Sequence, residues 1–304
     1  MILDIAIIGT GGIGGYYGAR LAHAGHRVHF LLNSEYEYVK QNGLIVDSHY
    51  GDFSLDKPLV YNDIKAMPAC DLVCVAVKAT ANPQIFPQLA PLLKPETDIL
   101  LLQNGFGNEQ RLEKLYPRQH IFGGLCFICT FREGLGRIRH AFYGKITLAA
   151  YKSADVERLH KLVLVFRDAG IETIEIPDLE VARWKKLVWN IPYNGLTVVM
   201  NCRTDLLVKE QSMLDLTRAM MEEVLAAAKV CGVTIADKFV DEMIQSTIDM
   251  VPYDPSMRLD YLAKRPMEID IIYGNVIEYA KACGYDMKYA KMLKWQLECL
   301  QTQY

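Results

Sequence analysis

The chain has 304 residues, of which 51% are apolar and 23% charged, so it is long enough for two ordinary domains with sizeable cores and is not disordered. A formal net charge of -3 at pH 7, with lysine and arginine scattered along the chain, gives none of the basic surface that nucleic acid or an anionic membrane needs. We therefore expect a small-molecule partner, with no nucleic acid and no membrane.

The start of the chain and its cysteines favour a cytoplasmic location. Met1–Ile8 lacks the basic region of a signal peptide and predicts a buried strand, and no apolar run approaches the roughly 20 residues that cross a bilayer. The eight cysteines lie mostly in apolar segments, as buried thiols in a reducing compartment do. Cys126 and Cys129 are spaced like a redox pair or half a zinc site, but no second ligand pair follows. We interpret them as core thiols on a strand and expect no metal.

The first half of the chain alternates short apolar runs with helical stretches. Continuous apolar runs predict buried strands at Ile5–Ile8, Val28–Leu32, Leu72–Val77 and Ile99–Leu102. Helical character lies between them, at Gly14–Ala24 and Asn82–Leu93. This order predicts an α/β fold with an N-terminal Rossmann-type, mostly parallel sheet that is covered on both faces.

After Leu125 the pattern changes to shorter segments punctuated by glycine. It predicts antiparallel strands, a helix and a further strand, at Arg137–His140, Lys145–Ala149, Val156–Ala169 and Glu172–Ile176. Pro177 and Asp178 are interpreted as a hinge. We expect a dinucleotide-binding domain at 1–178 and an all-helical substrate and catalytic domain at 179–304, because helical periodicity dominates after Leu179. Leu214–Cys231, with Gly232 as its C-cap, is one such helix.

A glycine-rich turn follows the first predicted strand. Gly9-Thr-Gly11-Gly12-Ile13-Gly14 fits G-x-G-x-x-G and lies between a strand and a helix, which is the context that the motif requires. Gly9 permits the tight turn, Gly11 admits a pyrophosphate and Gly14 allows close packing of helix on strand, while the helix N-terminus offers unpaired N–H donors. The alternative is a glycine-rich turn without a ligand.

The residues at the end of the second predicted strand should bind the ribose of the coenzyme. Dinucleotide-binding enzymes that use NAD place an acidic residue about 20 residues beyond the glycines, whereas this chain has Asn33, which repels neither a ribose nor a 2′-phosphate. Ser34 and Lys40 can receive the phosphate of NADP, and Glu35 can bind a bare ribose. The alternative for Lys40, which we favour, is an ordinary solvated helix residue.

Three polar residues recur on one predicted helix at the start of the second domain. Lys186, Asn190 and Asn194 stand at i, i+4 and i+8 and so form one stripe. A carbonyl reductase needs such a stripe, because an ammonium can stabilise and then protonate the oxygen of a ketone as hydride arrives. The plainer interpretation is a solvated helix face. Pro192 and Gly195 disturb the helix, although the proline can simply kink it.

Five blocks in order resemble the ketopantoate reductase family. They are the glycine turn; Val75-Ala-Val-Lys78-Ala; Leu102-Gln-Asn104-Gly-Phe-Gly-Asn108; Lys186-Leu-Val-Trp-Asn190 with Asn194-Gly-Leu-Thr197; and Pro255-Ser256-Met257 with Asp260, Met267-Glu268-Ile-Asp270 and Gly274. The resemblance implies NADPH-dependent reduction of 2-dehydropantoate (ketopantoate) to pantoate, within pantothenate and coenzyme A biosynthesis. A related reductase of another 2-keto acid and a catalytically silent dinucleotide sensor remain alternatives.

The resemblance also assigns roles to residues. It implies that Lys186 is the general acid, that Glu268 orients the substrate and the lysine, and that the 2-keto acid is bound by Asn190, Asn194 and Ser256. It places Lys78 and Asn104 beside the nicotinamide.

Structural alternatives exist for two of these residues. Glu268 can instead stabilise the first turn of a helix that begins at Pro266, and Ser256 can be the N-cap of a helix that runs through Leu262. Where the family usually has an arginine for the 2′-phosphate, this chain has Asn33, so NADH remains an alternative coenzyme. We interpret His140 as structural, and a homodimer is plausible from the apolar helices.

Overall fold

The computed structural model describes residues 2–303, apart from the Ser153 side chain. The chain forms two compact units. The first contains the residues up to Gln103 together with Asn108–Leu179, and the second contains Asn104–Gly107 and the residues from Glu180 onward. The chain divides between Leu179 and Glu180, and no pattern in the sequence predicted that Asn104–Gly107 would belong to the second unit.

The first unit is built on one large sheet. Its strands are β1 (Asp4–Ile8), β2 (Arg27–Leu31), β3 (Leu44–Ser48), β4 (Phe53–Leu55), β5 (Leu59–Tyr61), β6 (Cys70–Val75), β7 (Leu93–Leu101), β8 (His120–Gly134), β9 (Arg137–Ala150) and β10 (Thr173–Ile176). Their order is β4-β3-β9-β8-β7-β6-β1-β2-β5, with β10 also paired to β9. Only β3–β4 and β8–β9 pair antiparallel among the described residues. The mostly parallel α/β sheet is therefore confirmed.

Alternating side chains of the central strands feed two cores, one on each face of the sheet. Ile5 and Ile7 pack with the helices α1 (Gly12–His23) and α5 (Val156–Asp168). Ala6 and Ile8 pack on the other face, in a cluster that includes Leu112 of α4 (Asn108–Leu115). Because both faces are covered, the strands appear in the sequence as continuous apolar runs. The two remaining helices of this unit are α2 (Tyr36–Asn42) and α3 (Asn82–Ile85).

The antiparallel part of the sheet is a long hairpin. Gly134 and Gly136 flank its turn, and Gly136 has a φ of 63°. The two strands predicted at Arg137–His140 and Lys145–Ala149 are the two halves of the single strand β9, the first half paired with β3 and the second with β10. The break between the halves is at Tyr143 and Gly144, which both have positive φ.

Two local expectations for the first unit, the helix at Asn82–Leu93 and the start of the first strand at Met1, differ from the structure. The predicted helix at Asn82–Leu93 is only α3 followed by two short 3-10 turns, because Pro87 and Pro91 remove N–H donors that a continuous helix needs. The first strand begins at Asp4, and Ile2 is exposed. Met1, where that strand was expected to start, lies outside the described residues.

The second unit is helical. Its helices are α6 (Leu179–Val199), α7 (Leu206–Lys209), α8 (Gln211–Val230), α9 (Lys238–Asp249), α10 (Ser256–Leu262), α11 (Asn275–Ala282) and α12 (Lys288–Gln301), with a π turn at Asp270–Gly274 before α11. Its core is centred on the apolar side of α6, where Trp184, Leu187 and Val188 are buried. Helix α6 runs through Pro192 without ending there, and α8 is followed by Gly232 at a φ of 90°, as expected.

Within residues 2–303, no helix is both long enough and apolar enough to span a membrane. In the same part of the chain, no three His, Cys, Asp or Glu side chains are grouped so that they could hold a metal ion. Cys126 and Cys129 both lie on β8, as expected, and are half-buried.

Candidate active site

The glycine turn has the geometry that dinucleotide binding requires. Gly9 has a φ of 100°, and a side chain at Gly14 would stand 2.1 Å from the Gly9 oxygen. A side chain at Gly11 would meet nothing within 4 Å. Gly11 is also the N-cap of α1, where no side chain caps the helix and no acidic residue stands in the first turn. The turn thus leaves open space in front of a positively polarised helix end, which fits a pyrophosphate.

Two threonines fix this turn to its surroundings. Thr10 Oγ1 donates a hydrogen bond to the Leu31 oxygen at the end of β2, 3.0 Å away. Thr130 Oγ1 donates to the Gly12 oxygen from β8 at 3.3 Å, and a side chain at Gly12 would stand 2.7 Å from the Thr130 oxygen. The turn is therefore held between the end of β2 and the hairpin. Ile13, between these glycines, is half-buried and packs on the core of the sheet.

At the end of β2 the expected ribose-reading residues have different environments. Asn33 and Ser34 are exposed. Lys40 donates a hydrogen bond to the Tyr36 hydroxyl at 3.3 Å. Glu35, by contrast, is 3% exposed and forms an ion pair with Arg132, with 3.3 Å between Oε1 and Nε. Burial raises the pKa of Glu35, although the charge of Arg132 and a hydrogen bond from the Gly136 backbone oppose the shift. The Glu35 carboxylate is thus occupied by its ion pair with Arg132 of the hairpin.

Lys78 follows β6 and is exposed. The chain just before it lies against the glycine turn, since the N–H groups of Ala76 and Val77 both donate to the Ile8 oxygen. Strand β1 lies between β2 and β6. The side of the sheet to which successive strands are added therefore changes at β1, although all three strands are parallel. Ligands of open parallel sheets bind beyond the carboxyl ends of the strands at such a point.

A buried amide cluster that the sequence did not reveal supports this loop. Gln103 Nε2 donates to the Val77 oxygen at 2.8 Å and to Asn82 Oδ1 at 2.6 Å, and Asn82 Nδ2 donates to Asn108 Oδ1 at 3.1 Å. Paired amides of this kind are costly to disrupt in a protein interior. They fix the loop that carries Lys78 and the residue that precedes Asn104.

In the second unit, the polar stripe on α6 is largely buried. Asn190 and Asn194 are 5% and 2% exposed, and Lys186 is half-buried. The stripe is therefore not the solvated helix face of the plainer interpretation. Buried amides require partners, and Asn194 Oδ1 accepts a hydrogen bond from the Met257 N–H at 3.3 Å.

That bond brings Ser256, the neighbour of Met257, to the Asn194 end of the stripe. Ser256 is exposed and is the first residue of α10, while Pro255 is the N-cap. The structural alternative for Ser256, that it is the N-cap of this helix, is therefore wrong. Arg258 strengthens the same junction, because its guanidinium donates to the Thr197 oxygen at 2.8 Å and to Asn201 Oδ1 at 3.0 Å.

Glu268 and Asn104 both lie next to segments that contact the π turn. The expected helix start at Pro266 was wrong: Glu268 is a buried residue just ahead of the helical segment, and its backbone oxygen accepts from Ile272. Asn104 precedes Gly105, where a side chain would stand 2.6 Å from the Ile271 oxygen. Tyr273 donates from its hydroxyl to the Ile191 oxygen of α6 at 2.8 Å. A π turn is a frequent feature of functional sites.

His140 has the structural role expected for it. The ring is fully buried, its Nε2 lies 2.8 Å from the Tyr143 oxygen and its Nδ1 lies 2.8 Å from Ser48 Oγ. Nε2 must therefore donate, and Nδ1 accepts from the serine hydroxyl. Burial lowers the pKa of His140 to about 4, against the opposing effect of the Tyr143 carbonyl.

A mostly parallel sheet with a glycine turn at its switch point, followed by a helical unit, is typical of NAD(P)-dependent oxidoreductases. Two family models match the chain: ketopantoate reductase PanE/ApbA over residues 5–153, and its C-terminal counterpart over residues 178–298. The chain belongs to the ketopantoate reductase family.

Individual relatives cover nearly the whole chain. A 2-dehydropantoate 2-reductase from Nostoc sp. (strain PCC 7120 / SAG 25.82 / UTEX 2576) is 45% identical over 97% of this chain and 94% of its own. A crystal structure of 2-dehydropantoate 2-reductase from Geobacter metallireducens GS-15 has a TM-score of 0.94 at 40% identity, covering 98% of this chain and 99% of its own. D-mandelate dehydrogenase with NADH and anilino(oxo)acetate, 22% identical over 99% of both chains with a TM-score of 0.90, shares the fold.

Proposed function

We propose that this chain reduces 2-dehydropantoate (ketopantoate) to pantoate with NADPH, as a step in pantothenate and coenzyme A biosynthesis. The observation that carries the proposal is the buried amide stripe of α6 beside Lys186, in a chain that is 45% identical over nearly its full length to a 2-dehydropantoate 2-reductase. A silent dinucleotide sensor would have no use for a proton donor aligned with two buried amides.

In the proposed reaction the Lys186 ammonium faces the ketone oxygen of the substrate. NADPH, which the glycine turn would hold, would supply the hydride to the carbonyl carbon. Negative charge then grows on the oxygen, and Lys186 stabilises this charge and transfers its proton to give the hydroxyl. Because the lysine is half-buried, its charge is less screened than on an open surface.

The substrate carboxylate and hydroxyl are held by neutral donors in this proposal. Asn190, Asn194 and Ser256 lie along the stripe and at its junction with α10, and they bind without adding charge. Glu268 orients the substrate and the lysine. On the coenzyme side, the glycine turn binds the pyrophosphate, Asn33 stands at the ribose, and Lys78 and Asn104 line the nicotinamide end.

A substrate panel tests the proposal. Purified protein is incubated with NADPH or NADH and each of several 2-keto acids, including ketopantoate and benzoylformate, and coenzyme oxidation is followed by absorbance. We expect kcat/KM for ketopantoate to exceed that for the other acids by at least about tenfold, which is the usual worth of pocket contacts. Higher activity on another acid would assign a different substrate, and dinucleotide binding without any turnover would assign a sensor.

Two further parts of the proposal concern the cellular location and the oligomeric state. None of the eight cysteines, all of which lie within residues 2–303, is in a disulfide bond, which supports a reducing, cytoplasmic location. The homodimer stays a prediction, which light scattering of the purified protein tests.

A further inference from the structure

The end of β2 lacks a cation of its own for a coenzyme phosphate. Asn33 and Ser34, the two residues there that are exposed, are both neutral. The nearby Lys40 donates its hydrogen bond to Tyr36, and its ammonium lies over the ring of that tyrosine at 5.2 Å. A coenzyme that carries a 2′-phosphate needs a positive group at this point.

The β8–β9 hairpin brings an arginine to the same place. Arg132 is on β8, two residues after Thr130, whose hydroxyl bonds the glycine turn. Arg132 pairs in register with Ile138 of β9, and Ile138 is the side chain that a Cβ at Gly15 of α1 would meet at 2.7 Å. Cross-strand partners share a face of the sheet. Arg132 is therefore on the face that carries α1 and the glycine turn.

Glu35 fixes the position of this arginine. The ion pair between Arg132 Nε and Glu35 Oε1 spans 3.3 Å and starts two residues beyond Asn33. The carboxylate is buried, while the arginine side chain is 48% exposed. A guanidinium has five donors in a fixed fork, so one edge can be anchored while the other faces solvent.

From this arrangement we infer that Arg132 binds the 2′-phosphate of NADPH, in place of a cation at the end of β2, and that Glu35 is the residue that positions it. The inference rests on the proposed function, because it names the coenzyme subsite of the proposed reductase. It makes Arg132 the residue that decides between NADPH and NADH.

Two nucleotides that differ only in the 2′-phosphate test the inference without any turnover. Calorimetric titration with adenosine 2′,5′-bisphosphate and with 5′-AMP measures the contribution of that phosphate. We expect wild-type protein to bind the bisphosphate more tightly, and Arg132→Ala to lose on the order of 10- to 100-fold of that affinity, the usual effect of losing charged hydrogen bonds. Affinity for 5′-AMP should stay within about twofold, since 5′-AMP lacks the 2′-phosphate that Arg132 is inferred to bind.

Two other variants separate phosphate binding from hairpin stability. Arg132→Gln keeps a donor for Glu35 but removes the charge, and it should lose the bisphosphate as the alanine variant does. Arg139 pairs opposite Phe131 on the same hairpin and alternates in face with Ile138, so Arg139→Ala is the matched control and should bind both nucleotides normally.

Three results would overturn the inference. Wild-type protein that binds the two nucleotides equally well has no 2′-phosphate subsite, although it could still be an NADH-dependent reductase of the proposed kind. Equal loss of both nucleotides in Arg132→Gln would mean that the arginine only supports the turn. Wild-type protein that binds neither nucleotide would overturn both the inference and the proposed function.

Discussion

The side-chain oxygen of Asn194 accepts a hydrogen bond from the backbone N–H of Met257, 3.3 Å away. This bond joins the middle of α6 to the first turn of α10, and it leaves the amide N–H₂ group of Asn194 to be used for a ligand. Two proposed substrate-binding residues, Asn194 and Ser256, are thereby parts of one corner of the helical unit.

The corner predicts different results for two substitutions of Asn194. Asn194→Asp keeps an acceptor for the Met257 N–H but places a negative charge beside the substrate carboxylate. We expect KM for ketopantoate to rise by about tenfold or more, since like charges at short range cost more than a kcal/mol, and the melting temperature to fall, because a carboxylate at this buried position loses its hydration. Asn194→Ala should also lower stability, by about 1–3 kcal/mol, because a buried N–H loses its partner. An aspartate variant with normal KM would remove Asn194 from the substrate site.

Lys186 should affect turnover far more than coenzyme binding. We expect Lys186→Ala to lower kcat by about 100-fold or more, the usual contribution of a positioned acid, with the dissociation constant of NADPH nearly unchanged. Lys186→Arg keeps the positive charge but does not release a proton near neutral pH, so it should remain slow if proton transfer matters. Steady-state kinetics and fluorescence titration measure the two effects.

The neighbouring lysine is the control for this experiment. Lys185 is also half-buried, but its ammonium lies over the Phe239 ring at 5.5 Å. Lys185→Ala should leave kcat within about twofold, because a cation–π contact affects stability and not the reaction. Similar losses in the two alanine variants would argue against a specific role for Lys186.

Two glycines of the turn are expected to have different roles: Gly11 leaves room for the pyrophosphate, and Gly14 allows close packing of the helix. Gly11 has an extended backbone and open space at its Cβ position, so Gly11→Ala should change the free energy of unfolding by no more than about 1 kcal/mol. Its methyl group would occupy the space proposed for the pyrophosphate, and NADPH affinity should fall by about tenfold or more.

Substitution of Gly14, by contrast, should mainly lower the stability of the protein. Its Cβ position is 2.1 Å from the Gly9 oxygen and 2.9 Å from the Ala76 side chain, so Gly14→Ala should destabilise the protein by about 3 kcal/mol or more. Urea unfolding gives both stabilities. Unchanged coenzyme affinity in the Gly11 variant would place the pyrophosphate elsewhere.

His140 predicts a loss of stability in mild acid. The pKa of this buried ring is about 4 in the folded protein, and about 6.5 is usual for an unfolded chain. The unfolded state therefore binds the proton first as the pH falls, and the free energy of unfolding decreases between pH 6.5 and pH 4. By linkage, about 2 kcal/mol should be lost between pH 7 and pH 5.

The comparison with His140→Gln isolates this effect from the other titrating groups. The glutamine variant should be less stable at pH 7, because it loses one of two buried hydrogen bonds, but it should show a smaller decrease towards pH 5. Parallel pH dependences of the two proteins would mean that His140 is not the group that titrates.

How far the sequence predicts this structure depends on whether the signal is local. The buried strands and the glycine turn were predictable, because continuous apolar runs and a glycine spacing between strand and helix reflect immediate surroundings. The strands β3, β4 and β5 were not, since β4 and β5 have only three residues each and β3 ends in the polar pair Asp47 and Ser48.

The residues of the candidate site also differ in whether a local sequence pattern predicts them. The stripe of Lys186, Asn190 and Asn194 follows from helical spacing alone. The ion pair of Arg132 with Glu35 does not, because it depends on how a hairpin lies over a turn far away in the sequence. The amides of Asn82, Gln103 and Asn108 are equally hidden, since only the packing of the Gln103 loop against the first residues of α3 and α4 makes them partners.

The membership of Asn104–Gly107 in the helical unit limits how the molecule can be divided. Phe106 is counted in the core of that unit, with its N–H bonded to the Ile271 oxygen and its oxygen accepting from Asn275. A recombinant fragment that starts at residue 180 would lack the Phe106 side chain. The cavity left in the core would lower the free energy of unfolding by about 3–5 kcal/mol. Gene truncation at the apparent boundary should therefore yield aggregation-prone material, and any split version of the protein must carry the tetrapeptide with its C-terminal half.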